Sequence, residues 1–220
     1  MAEYTEDTVG NTIQNFGDFS TDLPVGEGYL AIALAPGSAA HNPHWQANSL
    51  SADFIASYFA NFFPRDGQFQ PPDMACALSS TVDVRTEIKS AISYVANELL
   101  ENSMKFCDPT VKHPISLSVY LCPDRLVFCA TNTIPPPAVP PFQAYIQDLI
   151  AGDPSTQLIH QLERNAAAPT DSISKLGLLT IINDYHAKVG WKFEVLPACL
   201  LDSPANSSVV AVTTIVQLPI

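Results

Sequence analysis

Glu98 and Asn102 are the pair in this 220-residue chain whose types and spacing best suit chemistry done together. They stand four residues apart in a stretch, 83–106, where Ile88, Ile92, Val95, Leu99 and Phe106 recur at helical spacing. That spacing predicts a long amphipathic helix with both polar side chains leaving one side. With Val95 as reference, Ile88 and Phe106 lie at about +20° and Leu99 at about +40°. Asn102 lies at about −20°, inside the apolar stripe, and Glu98 at about −60°, on its edge. An amide in an apolar stripe costs free energy unless something bonds to it. A carboxylate beside it needs a cation, a water or a proton. Two readings are open. In one, Asn102 sits near the helix end and bonds neighbouring backbone. In the other, the Asn102 oxygen holds Mg²⁺ and Glu98 activates water or a hydroxyl. Mg²⁺ commonly takes one or two protein oxygens and completes its octahedron with waters and phosphates, so one Asn suffices.

The elements that must position this pair are legible in outline. Residues 28–35 read as a short strand closed by Pro36-Gly37, and 51–63 as a helix stopped by Pro64. After the long helix, Asp108-Pro109 forms a stop. Residues 115–121 and 125–131 alternate around Cys122-Pro123-Asp124 and predict an antiparallel hairpin. Helices follow near 142–150 and 155–165, the second opened by Asp153-Pro154. Leu178, Ile181, Ile182, Tyr185 and Val189 mark a further helix stopped by Gly190, and 191–195 and 209–218 are strands. A central hairpin and two closing strands predict an α+β fold: a two-layer sandwich of a mixed, mostly antiparallel sheet with helices on one face. Residues 1–27 are polar and acidic and are expected to be weakly ordered, ahead of one domain over 28–220.

Composition narrows the function classes. Ten Lys and Arg against 22 Asp and Glu give a net charge of −12, which argues against nucleic acid and anionic membrane as partners. No apolar run reaches the roughly 18 residues of a spanning helix, and the start lacks the basic and apolar regions of a secretory signal. Five irregularly spaced cysteines form no disulfide framework, so a cytoplasmic protein is expected. The nine glycines give neither G-x-G-x-x-G nor a P-loop, which removes Rossmann and P-loop nucleotide binding.

At the pair itself, Asn97-Glu98-Leu99-Leu100-Glu101-Asn102-Ser103-Met104-Lys105-Phe106 resembles the N-box helix of Bergerat-fold ATPases, the superfamily of gyrase, histidine kinases and anti-sigma-factor kinases. The resemblance implies Mg²⁺ on Asn102, a base role or its relic for Glu98, and a binding role for Lys105, which fits the common continuation of the box. Ser174-Lys175-Leu176-Gly177-Leu178-Leu179 resembles a reduced second glycine box. It implies ATP or ADP phosphate near Ser174, Leu176, Gly177 and Leu178. The stretch 84–195 resembles SiaB-type bacterial regulators, relatives of anti-sigma kinases, in the Asn132-Thr133 turn and the helical insert after it. One motif departs: where D-x-G-x-G should follow the strand ending near Ala130, the chain reads Thr-Asn-Thr-Ile-Pro-Pro-Pro.

The resemblance implies a partner-switching serine/threonine kinase that binds Mg²⁺-ATP and phosphorylates a STAS-type antagonist. The missing first box leaves open a ligand sensor whose pocket takes a planar, adenine-containing molecule such as FAD, and an adaptor with no ligand. Other features read more simply as structure. The Pro135–Pro141 run is a stiff connection, Cys107, His113, Cys122 and Cys129 lack zinc spacing, and Asp184 with His186 suit a polar helix side. Ser174 suits an N-cap as well as a phosphate contact. Phe54, Tyr58, Phe59, Phe62 and Phe63 exceed what one face of a short helix can bury, which suggests a homodimer or partner surface.

Overall fold

The predicted hairpin organises the sheet. β4 (Ile115–Leu121) and β5 (Arg125–Ile134) pair from Leu121↔Leu126 to Ser116↔Thr131, and Cys122 N donates to Arg125 O (2.9 Å) to close the turn. The computed structural model describes residues 3–6, 12–20, 23, 28–35, 45–63, 84–167, 175–196 and 209–220. β-branched residues dominate β7 (Val209–Pro219), which runs along all of β5, from Arg125↔Pro219 to Ile134↔Val210. β6 (Lys188–Leu196) pairs with the other side of β7. β3 (Gly28–Leu34) pairs with β4. Two more strands, β1 (Glu3–Glu6) and β2 (Thr12–Gly17), extend the sheet beyond β6. The order is β1-β2-β6-β7-β5-β4-β3, and every pairing among the described strands is antiparallel.

Helices cover one face, which makes the expected two-layer α+β sandwich. They are α1 (Trp45–Phe59), α2 (Val84–Phe106), α3 (Val139–Ala151), α4 (Pro154–Ala167) and α5 (Leu176–Asn183). A 3-10 turn over Ala60–Phe62 follows α1. The core between the layers joins Leu117, Val119, Phe128, Trp191 and Val216 of the sheet to Ile55 and Phe59 of α1 and Ile92, Val95 and Leu99 of α2. Burial of each large side chain contributes roughly 1.5–3 kcal/mol. The opposite face carries a smaller cluster of Val127 and Ile215, against which Phe19 and Leu23 pack.

Three expectations need correction. The polar segment 1–27, expected to be weakly ordered, supplies β1 and β2. Its signal is weak because β2 offers the core essentially one large side chain, Phe16, which meets Phe193 edge-on with ring centres 5.5 Å apart. The helix expected to continue through Val189 stops at Asn183. His186 then takes a left-handed backbone (φ 52°), and Val189 and Gly190 belong to β6. Gly190 is a strand residue paired with Ile215 and Gly17, and glycine is needed there because the Asp18-Phe19 backbone crosses directly over it; a Cβ would lie 2.7 Å from Asp18 C. Asn132 and Thr133, expected in a turn, are buried strand residues opposite Val212 and Ala211.

α2 is tied down at its end. Asp108 N donates to Thr133 O (2.8 Å), while Asp108 Oδ1 accepts from Thr110 N (2.9 Å) and Thr110 Oγ1 (2.6 Å). Glu87 in the first turn and Lys105 in the last suit the helix dipole. Among the described residues, no helix is long and apolar enough to cross a membrane.

Candidate functional site

α2 has two polar flanks, and the apolar stripe between them rests on the sheet. Toward α1 the polar groups are satisfied. Ser93 Oγ donates to Asp53 Oδ1 (2.7 Å), Ser49 Oγ to Asn97 Oδ1 (3.5 Å), and Asn97 Nδ2 to Glu101 Oε1 (3.0 Å). Toward α5 the flank carries Tyr94, Glu98 and Asn102, one helical turn apart each. Tyr94 lies beside Thr180, and its ring meets that of Tyr185 at a tilt, ring centres 5.5 Å apart at 31°. Among the described residues, the side chains of Glu98 and Asn102 make no hydrogen bond with the protein.

The structure brings Glu98 to Gly177. A Cβ on Gly177 would overlap the Glu98 carboxylate and lie 2.6 Å from its Cδ, so only glycine permits this approach. Burial, and then the negative charge of Glu101, push the Glu98 carboxyl above the ordinary carboxylate range. Burial also raises Tyr94 and Tyr185, with Asp184 adding to both. The two residues singled out from different motifs are thus neighbours across one seam.

α5 is held in an unusual way. Non-glycine residues in the left-handed region bracket it, Lys175 at its N-cap (φ 52°, ψ 17°) and His186 beyond its end (φ 52°). Each costs on the order of 1 kcal/mol, which Leu178, Leu179 and Ile181 in the core offset. Lys175 makes no side-chain cap; its Nζ lies 5.5 Å from the centre of the Tyr145 ring on α3.

The remaining expected residues divide. Asn102 is half-buried, one turn beyond Glu98. Lys105 is exposed on the same side of the helix, with Nζ 5.8 Å from the Phe106 ring centre. Leu176 is half-buried beside Gly177, whereas the Leu178 side chain is in the core, so Leu178 can offer a ligand only its backbone. Ser174 lies outside the described residues.

Sequence reasoning missed Tyr94, Thr180, Tyr185, Lys175 and Tyr145. Tyr94 was within reach, because it precedes Glu98 by four residues in the same row of the helix. It also missed two features of the inner sheet face. α2 lies over β4 and β5, and α3 packs on β2 and β6. Thr214 of β7, between Ala130 and Trp191 on the helix-covered face, remains partly accessible. The fully buried Trp191 has an indole N–H with no partner. Strand periodicity places these residues on the inner face but cannot show which of them stays accessible or unpaired.

Among the described residues no group of three His, Cys, Asp or Glu could hold a metal ion. A hard cation here would rest on the Asn102 amide oxygen and on oxygens of its ligand, which suits Mg²⁺. No protein-family model, no curated protein and no solved structure matches this chain.

Proposed function

We propose that the seam between α2 and α5 binds a Mg²⁺-adenine nucleotide, ATP or ADP. In this reading the protein is a cytoplasmic partner-switching regulator, an anti-sigma-type serine/threonine kinase acting on a STAS-type partner. One observation carries the reading: Glu98 is pressed against Gly177, Asn102 lies one turn further along the same side of α2, and neither side chain has a hydrogen-bond partner among the described residues. Neither side chain is sealed from water, so a polar ligand would take the place of solvent at both.

Each residue then has a task. Asn102 Oδ1 holds the metal, which when bound neutralises phosphate charge and fixes the phosphates. Glu98, its carboxyl raised by burial, accepts the proton of the acceptor hydroxyl or positions it; a base raised toward working pH suits that task. Gly177 lets the Glu98 carboxylate reach the first turn of α5, whose backbone N–H groups face no side-chain cap. Lys105, exposed one turn past Asn102, adds positive charge on the phosphate side. Transfer of this kind depends mainly on positioning and charge neutralisation.

The test is incubation with γ-labelled ATP, Mg²⁺ and a STAS domain. Label on a serine or threonine of that domain, lost in Glu98→Gln, supports kinase activity; an unlabelled domain with no nucleotide bound to the protein contradicts it. A second reading is a sensor for a planar ligand such as FAD. It is favoured by the Tyr94–Tyr185 ring pair and by β5 running through Thr131–Ile134 into Pro135 with no glycine. Denaturing the purified protein separates the two, since released flavin is yellow and released ATP or ADP is not.

A further inference from the structure

The sheet ends on one side in β1, four residues with Glu3 and Glu6, and on the other in β3. A sheet edge offers unpaired N–H and C=O groups, and proteins guard it with charge, proline, bulges or shortness. β1 is short and charged. β3 has none of these devices: it is Gly-Tyr-Leu-Ala-Ile-Ala-Leu, seven residues paired regularly with β4, and no described strand covers its other side. Beside it, α1 leaves Leu50 71% and Phe54 58% exposed. Ile32, Ala33, Leu34, Leu50, Ser51 and Phe54 line an open groove of about 430 Å³ between edge and helix. Of the five crowded aromatics of the 51–63 segment, Phe59 is fully buried and Tyr58 and Phe63 pack on the core, while Phe54 and Phe62 remain exposed.

We infer that β3 pairs with β3 of a second copy of this chain, antiparallel about a two-fold axis through Ala31, to give one continuous sheet. One observation favours a second copy over another partner: the strand complements itself. Centring on Ala31 pairs all seven residues and keeps the helix-covered faces of both copies on one side. Leu30 then meets Ile32, exposed Tyr29 meets the small Ala33, and no charge opposes a like charge. The seam spans about 24 Å at roughly 3.4 Å per residue, with Leu50 and Phe54 of both copies closing over it. This inference does not depend on what the α2–α5 seam binds.

The test is sedimentation of the full chain, alone and as Ala31→Glu and Ala31→Lys variants. Ala31 is exposed and faces Ser118, so neither change disturbs the core. The wild type should be dimeric, and each variant should dissociate at least tenfold more readily, because like charges meet at the axis. An equimolar mixture of the two variants should recover a dimer, as opposite charges then face each other. A monomeric wild type overturns the inference. So does a dimer that ignores both substitutions, or one that neither variant forms even when mixed.

Discussion

The two flanks of α2 carry similar residues and different fates. Toward α1, Ser93, Asn97 and Glu101 satisfy one another or a neighbour, and alanines (Ala52, Ala56, Ala91, Ala96) are buried on the two helices. Toward α5, Glu98 is pressed against a glycine with its carboxyl raised by burial, and Asn102 has no protein partner among the described residues. A flank built only for stability would resemble the first. The second keeps polar groups part-buried, without a partner among the described residues and still within reach of solvent, which leaves them open to a ligand.

The comparison breaks most visibly on the structural side. Leu100→Ala, at a fully buried position, should lower unfolding free energy by about 2–5 kcal/mol in urea melts. On the other flank, Asn102→Ala should move stability by only about 0.5 kcal/mol, as for other sites that bear no packing. A large loss there would make Asn102 a structural residue.

Gly177→Ala sharpens the contrast. Its methyl meets the end of a flexible side chain rather than backbone, so the fold should persist while Glu98 is displaced toward water. Alanine in a helix contributes about 0.5–1 kcal/mol over glycine, offsetting part of the disturbance. The Glu98 carboxyl, followed by NMR, should then titrate closer to the ordinary range; an unshifted titration would show that Gly177 does not hold it.

The smallest effect is on pH dependence. Folded protein holds the Glu98 proton more tightly than unfolded chain does. Its contribution to stability is therefore complete below the unfolded pKa and is lost as pH rises through the higher folded one. Glu98→Gln should melt slightly higher than wild type near neutral pH, with the difference vanishing as pH falls into the ordinary carboxylate range. Equal melting at every pH would contradict a burial-raised carboxyl.

Much of the fold was legible because its strong signals are local: the 3.6-residue period of α2, the alternation of β4 and β5, and the Pro and Asp stops. β2 was hidden because it buries little beyond Phe16, and the end of α5 because Tyr185 and Val189 continue a helical period that the left-handed His186 breaks. At the site, the placing of Glu98 and Asn102 on one side of α2 was legible from their spacing, whereas Gly177 was singled out only by the resemblance. The approach of Glu98 to Gly177 was not legible, because it depends on how α5 docks on α2. Thr214 and the lone indole of Trp191 were not legible either, since strand alternation reports the face and never which groups on it stay accessible or unpaired.

The most direct test of the account is calorimetric titration of Mg²⁺-ATP into wild-type protein and the Asn102→Ala variant, with melting curves of both alongside. The account predicts saturable binding to the wild type and at least tenfold weaker binding to the variant, at nearly equal stability. Wild-type protein that binds no adenine nucleotide, or a variant that binds as tightly as wild type, would contradict it.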